Sequence, residues 1–160
     1  MSLDQLDLSI LAALEQNARV TISELARRLE SPHSTIRDRI RLMEESGVIL
    51  GYTAVIDPKK LGLGIMAIVQ AGRASSVSLN DFRVEAARFP EVTKAQLVTG
   101  ETDQFITVHA SDVEELKDIM FNKIGALPGL TKSNTAIVLE ERHFPITRRF
   151  LAVNKKTESA

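Results

Sequence analysis

The chain has 160 residues and a net charge of −1, and its 44% hydrophobic and 26% charged residues are typical of a globular protein. It contains no cysteine, which excludes disulfides, thiolate catalysis and cysteine-based zinc sites. No apolar run reaches the length of a membrane span, and the first residues lack a basic region followed by an apolar core, so we expect no membrane partner and a cytoplasmic location.

Apolar residues recur at helical spacing three times in the first fifty residues. The first helix is predicted over residues 3–17 and the second over residues 22–29, where Thr21 and Glu24 have the spacing of a capping box. The third follows a break at residues 30–33, and Gly47 is expected to close it. The apolar stripes of the three helices are Leu3, Leu6, Ile10 and Leu14; Ile22, Leu25, Ala26 and Leu29; and Ile36, Ile40 and Met43.

The second and third helices predict a helix-turn-helix, in which two short helices are joined by a tight turn. The second helix of this motif presents its N-terminal end and polar face to base edges in the major groove of double-stranded DNA. A helical hairpin in an ordinary core, with a solvated charged face, would show the same pattern. The candidate DNA-binding residues are Arg27, Pro32, His33, Ser34, Thr35, Arg37, Asp38, Arg39 and Arg41.

The charge balance argues against strong nonspecific DNA binding, because that affinity comes from neutralising phosphates. Residues 1–50 contain six arginines and eight acidic residues. Five of the arginines lie between Arg27 and Arg41, so the positive charge is local. We expect a modest basic face, which a dimer would double.

Residues 48–57 are rich in β-branched and aromatic residues and predict a strand. Such a strand would lie outside any sheet of its own chain, and its open edge would demand a partner, such as the same strand of a second subunit. Residues 58–60 break the pattern, and residues 61–64 are expected to form a hinge.

The second half predicts the order βαββαβ, a ferredoxin-like unit, so the whole chain belongs to the α+β class. The strands are predicted over residues 65–71, 92–99, 104–110 and 130–141, and the helices over residues 78–89 and 111–124. The fold hosts many functions. An RNA-binding domain would need more aromatic residues than Phe105 on the central strands, and an acyl phosphate hydrolase would need a phosphate-binding loop that the sequence lacks.

Four sequence motifs together resemble those of the Lrp/AsnC (leucine-responsive and asparagine-responsive) transcription regulators. The resemblance extends to about residue 145 and implies a winged-type helix-turn-helix domain followed by a ferredoxin-like effector domain, often called the RAM domain. The motifs are Leu3-Asp4-x-x-Asp7-x-x-Ile10-Leu11, Ile22-Ser23-Glu24-Leu25-Ala26, Arg37-x-Arg39-Ile40 and Met43-Glu44-x-x-Gly47-Val48-Ile49-x-Gly51-Tyr52.

The turn between the second and third helices departs from the family pattern of glycine, an apolar residue, serine and proline. Here the four positions are Glu30, Ser31, Pro32 and His33. We expect Ser31 to cap a helix that begins at Pro32, one residue early. Glu30 replaces a glycine that would suit a left-handed helix end.

The resemblance implies four parts of the chain and a transcription regulator rather than an enzyme. The parts are a DNA-binding domain (1–50), a linker strand and hinge that helps dimerisation (51–64), an effector-binding and oligomerisation domain (65–145) and a basic tail (146–160), for which we expect fraying. Dimers would assemble into a larger ring, by family analogy an octamer, and an amino acid would alter assembly or DNA affinity. The alternative is a metabolite-sensing oligomer without DNA binding.

The family carries a Gly-x-x-Asp turn where this chain has residues 98–103, and effector-binding residues cluster around it. Exposed backbone N–H groups at a glycine turn can bind the carboxylate of an amino acid, and Glu101 or Asp103 can bind its ammonium group. An ordinary hairpin turn would explain the composition equally well. The candidate effector-binding residues are Val98, Thr99, Gly100, Glu101, Thr102, Asp103, Ser133 and Thr135, with Ser75 and Ser76 as further polar candidates.

The three histidines do not have metal-ligand spacing, so we expect no intrinsic metal site and no cofactor. His109 lies in a predicted strand, and His33 lies in the turn, where it can contact a phosphate.

Overall fold

The computed structural model describes residues 2–151. The chain divides into two compact units, Met1–Val55 with Arg142–Ala160, and Ile56–Glu141. The predicted linker, residues 51–64, is therefore divided between the units. The C-terminal segment belongs to the first unit although the chain reaches it from the second.

Three helices form the first unit, as the apolar spacing predicts. They are α1 (Gln5–Gln16), α2 (Ile22–Arg28) and α3 (His33–Glu45). No helix within residues 2–151 is long and apolar enough to cross a membrane. The buried core residues are Ile10, Leu25, Ala26, Ile36 and Met43, with Ile40 partly buried against them.

The helix caps differ in part from the prediction. The complete capping box lies in α1, where the Asp4 carboxylate accepts the Asp7 N–H and the Asp7 carboxylate accepts the Asp4 N–H, each at 3.0 Å. In α2 Thr21 accepts the Glu24 N–H at 3.1 Å. The reciprocal half of the predicted box is missing from the described contacts, because the Glu24 carboxylate pairs with arginines instead.

The predicted strand over residues 48–57 is wrong for the single chain, which has no strand there. The segment has no neighbouring strand within the described chain to supply the ladder of hydrogen bonds that defines one. Its apolar side chains project into solvent, with Leu50 94% and Val55 96% exposed. A short 3₁₀ turn, Pro58–Leu61, follows and ends at Gly62, whose φ is +85°.

The second unit has the predicted ferredoxin-like order. Its elements are β1 (Ile65–Arg73), α4 (Leu79–Ala86), β2 (Val92–Leu97), β3 (Gln104–Ala110), α5 (Val113–Asp118) and β4 (Leu130–Ile137). The strands form one antiparallel sheet in the order β2-β3-β1-β4. This confirms the α+β class and places the two long central strands next to each other.

The core of the second unit lies between one face of the sheet and the helices. Alternate residues of the central strands are fully buried, among them Val69 on β1 and Ile106 on β3, and they pack against Phe82 and Ile119 from the helices. Three predicted elements extended too far: α4 ends at Ala86, β2 at Leu97 and β4 at Ile137. The predicted helix over residues 111–124 is α5 continued by a π-helical turn, Ile119–Ile124.

The C-terminal segment is ordered against α1, so the expectation of fraying is wrong for residues 146–151. Thr147 is buried, and residues 148–151 form a helical turn. The remainder of the predicted tail, residues 152–160, lies outside the described residues.

Candidate functional site

The turn between α2 and α3 sets the start of the recognition helix. Glu30 has a φ of +48°, the left-handed conformation that the glycine of the family pattern would adopt more easily. The Ser31 N–H donates to the Ala26 carbonyl at 3.0 Å, which is the bond of a Schellman motif. Helix α3 begins at His33, and Pro32 precedes it without a side-chain cap. The predicted cap at Ser31 is therefore wrong.

The first turn of α3 is open to a ligand. His33 and Ser34 are exposed and Thr35 is half-buried. Because no side chain caps this helix, its first N–H groups and its positive dipole end are available to an anion such as a DNA phosphate.

The arginines of α3 point in different directions because of their helical spacing. Arg39 lies three positions after buried Ile36, on the inner side of the helix, whereas Arg37 and Arg41 lie on the exposed side. The Arg39 Nη1 donates to the Asp4 Oδ2 at 2.5 Å and to both Asp7 oxygens at 3.0 Å.

Most of the predicted basic face is already paired with carboxylates. Arg27 and Arg28 both bind Glu24, at 2.8 Å and 2.5 Å, and hydrogen bonds from these two arginines lower the pKa of Glu24 to about 2. Arg41 lies 3.1 Å from Glu45 and 3.9 Å from Asp38.

Arg37 is the exception. Among residues 2–151, no acidic side chain pairs with it. It is exposed, and it is the cation of α3 that is free to meet a phosphate or a base edge.

The second candidate site is the loop between β2 and β3. The Val98 N–H donates to the Asp103 carbonyl at 3.0 Å and closes the loop, and Gly100 has a φ of +127°. Thr99, Gly100 and Glu101 are exposed, and within the described chain the Glu101 carboxylate makes no hydrogen bond or ion pair.

Asp103 holds this loop against the end of β1. Its N–H donates to the Ala71 carbonyl at 3.1 Å, and its Oδ2 accepts the Arg73 N–H at 2.8 Å. The Arg73 Nε lies 3.9 Å from the Asp103 Oδ1. The Asp103 carboxylate is therefore occupied, which leaves Glu101 as the free carboxylate of the loop. Sequence reasoning did not single out Arg73, because its partner is 30 positions away and no local motif signals the contact.

The predicted polar residues on β4 lie at the same end of the sheet as the loop, but β1 separates them from β3. Ala71 is the register partner of both Gln104 and Ser133, so the loop end and Ser133 are two strand spacings apart, about 10 Å. Thr135 lies two residues further along β4, where its hydroxyl approaches the Met120 sulfur at 3.6 Å. Ser75 and Ser76 are exposed in the turn after β1. The single chain therefore leaves these groups as separate clusters.

The sequences of both units match known protein families. Residues 65–144 match the family described as the Lrp/AsnC ligand binding domain, and residues 3–49 match the family described as winged helix-turn-helix DNA-binding. The chain belongs to the Lrp/AsnC family of transcriptional regulators.

Relatives of this Lrp/AsnC regulator match along nearly their whole length. An HTH-type transcriptional regulator of Pyrococcus horikoshii is 33% identical over 150 residues, which is 94% of each chain. The structure of AsnC from E. coli superposes with a TM-score of 0.81 at 29% identity and covers 90% of this chain and 97% of that one. A transcriptional regulator of Neisseria meningitidis in complex with L-methionine superposes with a TM-score of 0.84 at 25% identity over 91% and 96% of the two chains.

The structure offers no metal site in the described part of the regulator, since no three histidine, cysteine or acidic residues there could hold an ion. His33 is exposed at the start of α3, and the His109 Nδ1 lies 3.1 Å from the Thr93 hydroxyl across the β2–β3 pair.

Proposed function

We propose that this regulator binds specific sequences in double-stranded DNA through α3 and that an amino acid bound near residues 98–103 controls this binding. The observation that carries the proposal is the exposed face of α3. Its N-terminal turn at His33 and Ser34 is uncapped and exposed, and the unpaired Arg37 follows one turn later. A helix of this kind can place its first residues against base edges and its N–H groups against a phosphate. The named relatives are transcriptional regulators, which supports a regulatory rather than a catalytic role.

The contacts divide the predicted DNA-binding residues into two groups. His33, Ser34, Thr35, Arg37 and Asp38 stand on the open side of the helix and are proposed to face the groove. Arg27 and Arg41 can reach phosphates only by exchanging their present carboxylate partners, and such exposed pairs are weak. Because DNA is the target, we propose that the protein acts in the cytoplasm.

The effector is proposed to be a free amino acid. Within residues 2–151, the backbone N–H groups of residues 99–102 have no hydrogen-bond partner, so they can receive a carboxylate. The free Glu101 carboxylate can receive an ammonium group. The L-methionine complex of the Neisseria meningitidis regulator supports this chemical class.

Assembly is proposed to begin with a dimer formed through residues 48–57. Leu50, Val55 and Ile56 are exposed there, and the extended backbone has no strand partner in the described chain. Pairing with the same segment of a second copy would bury these side chains and satisfy the backbone. The dimer would present two copies of α3 to two half-sites about one helical turn apart. Family analogy extends the assembly to an octamer.

The DNA part of the proposal is tested with a duplex selected from a random-sequence pool by the purified protein. We expect a dissociation constant that rises steeply with KCl concentration, and Arg37→Ala should weaken binding while light scattering shows an unchanged mass. Arg19→Ala, in the loop between α1 and α2, is the matched control. Failure to select any duplex would favour the alternative, a metabolite-sensing oligomer without DNA binding, which the carboxylate pairing of four other arginines supports.

The effector part is tested by calorimetry with L-methionine and then with the other standard amino acids. Glu101→Gln should reduce the affinity for the amino acid that binds by about tenfold, the loss of one charge-assisted hydrogen bond. Glu114→Gln, an exposed acidic residue on α5, is the control and should leave binding unchanged. An unaffected Glu101→Gln variant would place the ammonium site elsewhere.

A further inference from the structure

The contact between α1 and α3 involves an arginine that the sequence pattern places among the DNA-binding residues. We infer that Asp7 and Arg39 are positioning residues that fix the angle of the recognition helix on α1, and that Arg39 does not contact DNA. This inference rests on the proposed DNA-binding function, since it concerns how α3 is held for that task.

Burial separates Asp7 from an ordinary surface carboxylate. Its side chain is 1% exposed, and it lies beside core residue Ile10 on α1. A buried carboxylate is costly unless it is paired and hydrogen-bonded. Asp7 meets this condition with the Asp4 N–H at 3.0 Å and the Arg39 Nη1 at 3.0 Å from each oxygen.

A single guanidinium nitrogen holds two carboxylates at the N-terminal end of α1. The Arg39 Nη1 binds the Asp4 Oδ2 at 2.5 Å as well as both Asp7 oxygens, and Asp4 is the N-cap of the same helix. The guanidinium is charged at any working pH, and hydrogen bonds to Asp4 and then Asp7 raise the pKa of Arg39 further. The ion pair therefore ties the middle of α3 to the first turn of α1.

Apolar packing and the ion pair hold α3 on α1 in different ways. The side chains that α3 buries are Ile36 and Met43, with Ile40 partly buried, and such contacts are non-directional. Arg39 lies on the same inner side, between them in sequence, and its hydrogen bonds have fixed directions. A small rotation of α3 would break them, and it would also move Arg37 away from a groove on the opposite side.

The test compares three single variants of the full-length protein on the selected duplex and on a random duplex of the same length. Arg39→Gln removes the cation, Asp7→Asn removes the buried negative charge, and Arg37→Gln is the matched control on the exposed side. Dissociation constants are measured across a series of KCl concentrations, and each variant is checked by circular dichroism melting.

Asp7→Asn gives the sharpest result, because it makes the protein more positive. If electrostatic attraction to phosphates were the governing effect, this variant would bind DNA more tightly. The inference predicts the opposite: Asp7→Asn and Arg39→Gln both weaken binding to the selected duplex by about tenfold or more, with an unchanged dependence on salt. Arg37→Gln should lower the slope of log K against log salt by about one.

Two results together would overturn the inference and make Arg39 a phosphate contact. They are a salt dependence of binding that is weaker by about one for Arg39→Gln, and tighter binding of DNA by Asp7→Asn. If either variant fails to fold, Asp4→Asn replaces it, because asparagine keeps the N-cap while the pair with Arg39 loses one charge. The inference predicts weaker selected binding at an unchanged slope for this variant also, and tighter binding would contradict it. Failure of the unaltered protein to select a duplex would instead reject the proposed function.

Discussion

The carboxylate of Glu15, at the end of α1, accepts two hydrogen bonds from Thr147, although 132 positions separate the residues. The Thr147 N–H donates at 3.1 Å and its hydroxyl at 2.5 Å, and the Ile146 N–H donates to the other carboxylate oxygen at 2.9 Å. The contact anchors the last described segment on the first helix of the DNA-binding unit. The chain therefore enters this unit a second time after completing the ligand-binding domain.

Removing the Thr147 hydroxyl should loosen this anchor. Thr147→Val keeps the side-chain shape but leaves a charged acceptor short of one donor, so the free energy of unfolding should fall by about 1 kcal/mol. Urea unfolding measures the loss, and amide exchange at Ile146 should accelerate. Thr131→Val, at an exposed threonine on β4, is the control, and an equal effect of both substitutions would show that the Glu15 contact is not responsible.

Acid should release the arginines of α2 only at very low pH. Side-chain hydrogen bonds from Arg27 and then Arg28 lower the pKa of Glu24 from 4.5 to about 2. Because the folded-state pKa is depressed, the contribution of these pairs to stability is present above pH 4.5 and is lost as the pH falls through about 2. Carbon-13 NMR titration of the Glu24 carboxyl measures this value directly. Arg28→Gln should raise it, and a carboxyl that titrates near 4.5 in the unaltered protein would contradict the pairing.

Glycine should suit position 30 better than glutamate does. The φ of +48° at Glu30 costs a side-chain-bearing residue roughly 1–2 kcal/mol, while glycine adds about 0.5–1 kcal/mol of unfolded-chain entropy. Glu30→Gly should therefore stabilise the first unit by up to about 1.5 kcal/mol in thermal or urea unfolding. Glu30→Ala removes the same charge but keeps the strain, so a gain of equal size in both variants would assign the effect to charge.

Local periodicity was sufficient to predict most of the fold. The helices α1 to α3 follow from apolar residues at helical spacing, and the boundaries of β3 were predicted to the residue because a buried alternating run ends at a turn on each side. The same periodicity places Arg39 with Ile36 on the inner side of α3. The prediction grouped Arg37 and Arg39 together as DNA-binding residues, although only Arg37 lies on the exposed side of the helix.

The contacts that the sequence did not predict join residues far apart along the chain. The Glu15 anchor, the Arg73–Asp103 clamp and the Asp7–Arg39 pair join residues 132, 30 and 32 positions apart, and no local pattern encodes such pairings. The strand predicted over residues 48–57 failed for a different reason. Its composition suits a strand, but a strand requires a partner, and the single chain supplies none.

The buried amide of Gln104 gives a stability prediction next to the candidate effector loop. Its side chain is fully buried at the start of β3, and neither its Oε1 nor its Nε2 has a hydrogen-bond partner within the described residues. Each unsatisfied buried group costs about 1–3 kcal/mol, so Gln104→Met, which keeps the length of the side chain, should raise the free energy of unfolding by about that amount.

Gln70→Met, on the opposite face of neighbouring β1, is the control for Gln104→Met and should change stability by less than about 0.5 kcal/mol. Urea unfolding of both variants, with and without L-methionine, completes the measurement. A Gln104→Met variant that is less stable than the unaltered protein would show that the amide has a partner in solution. Gln104 directly follows Asp103, whose N–H donates to the Ala71 carbonyl and so joins the candidate effector loop to β1. A partner of the Gln104 amide would therefore lie at the loop end of the sheet.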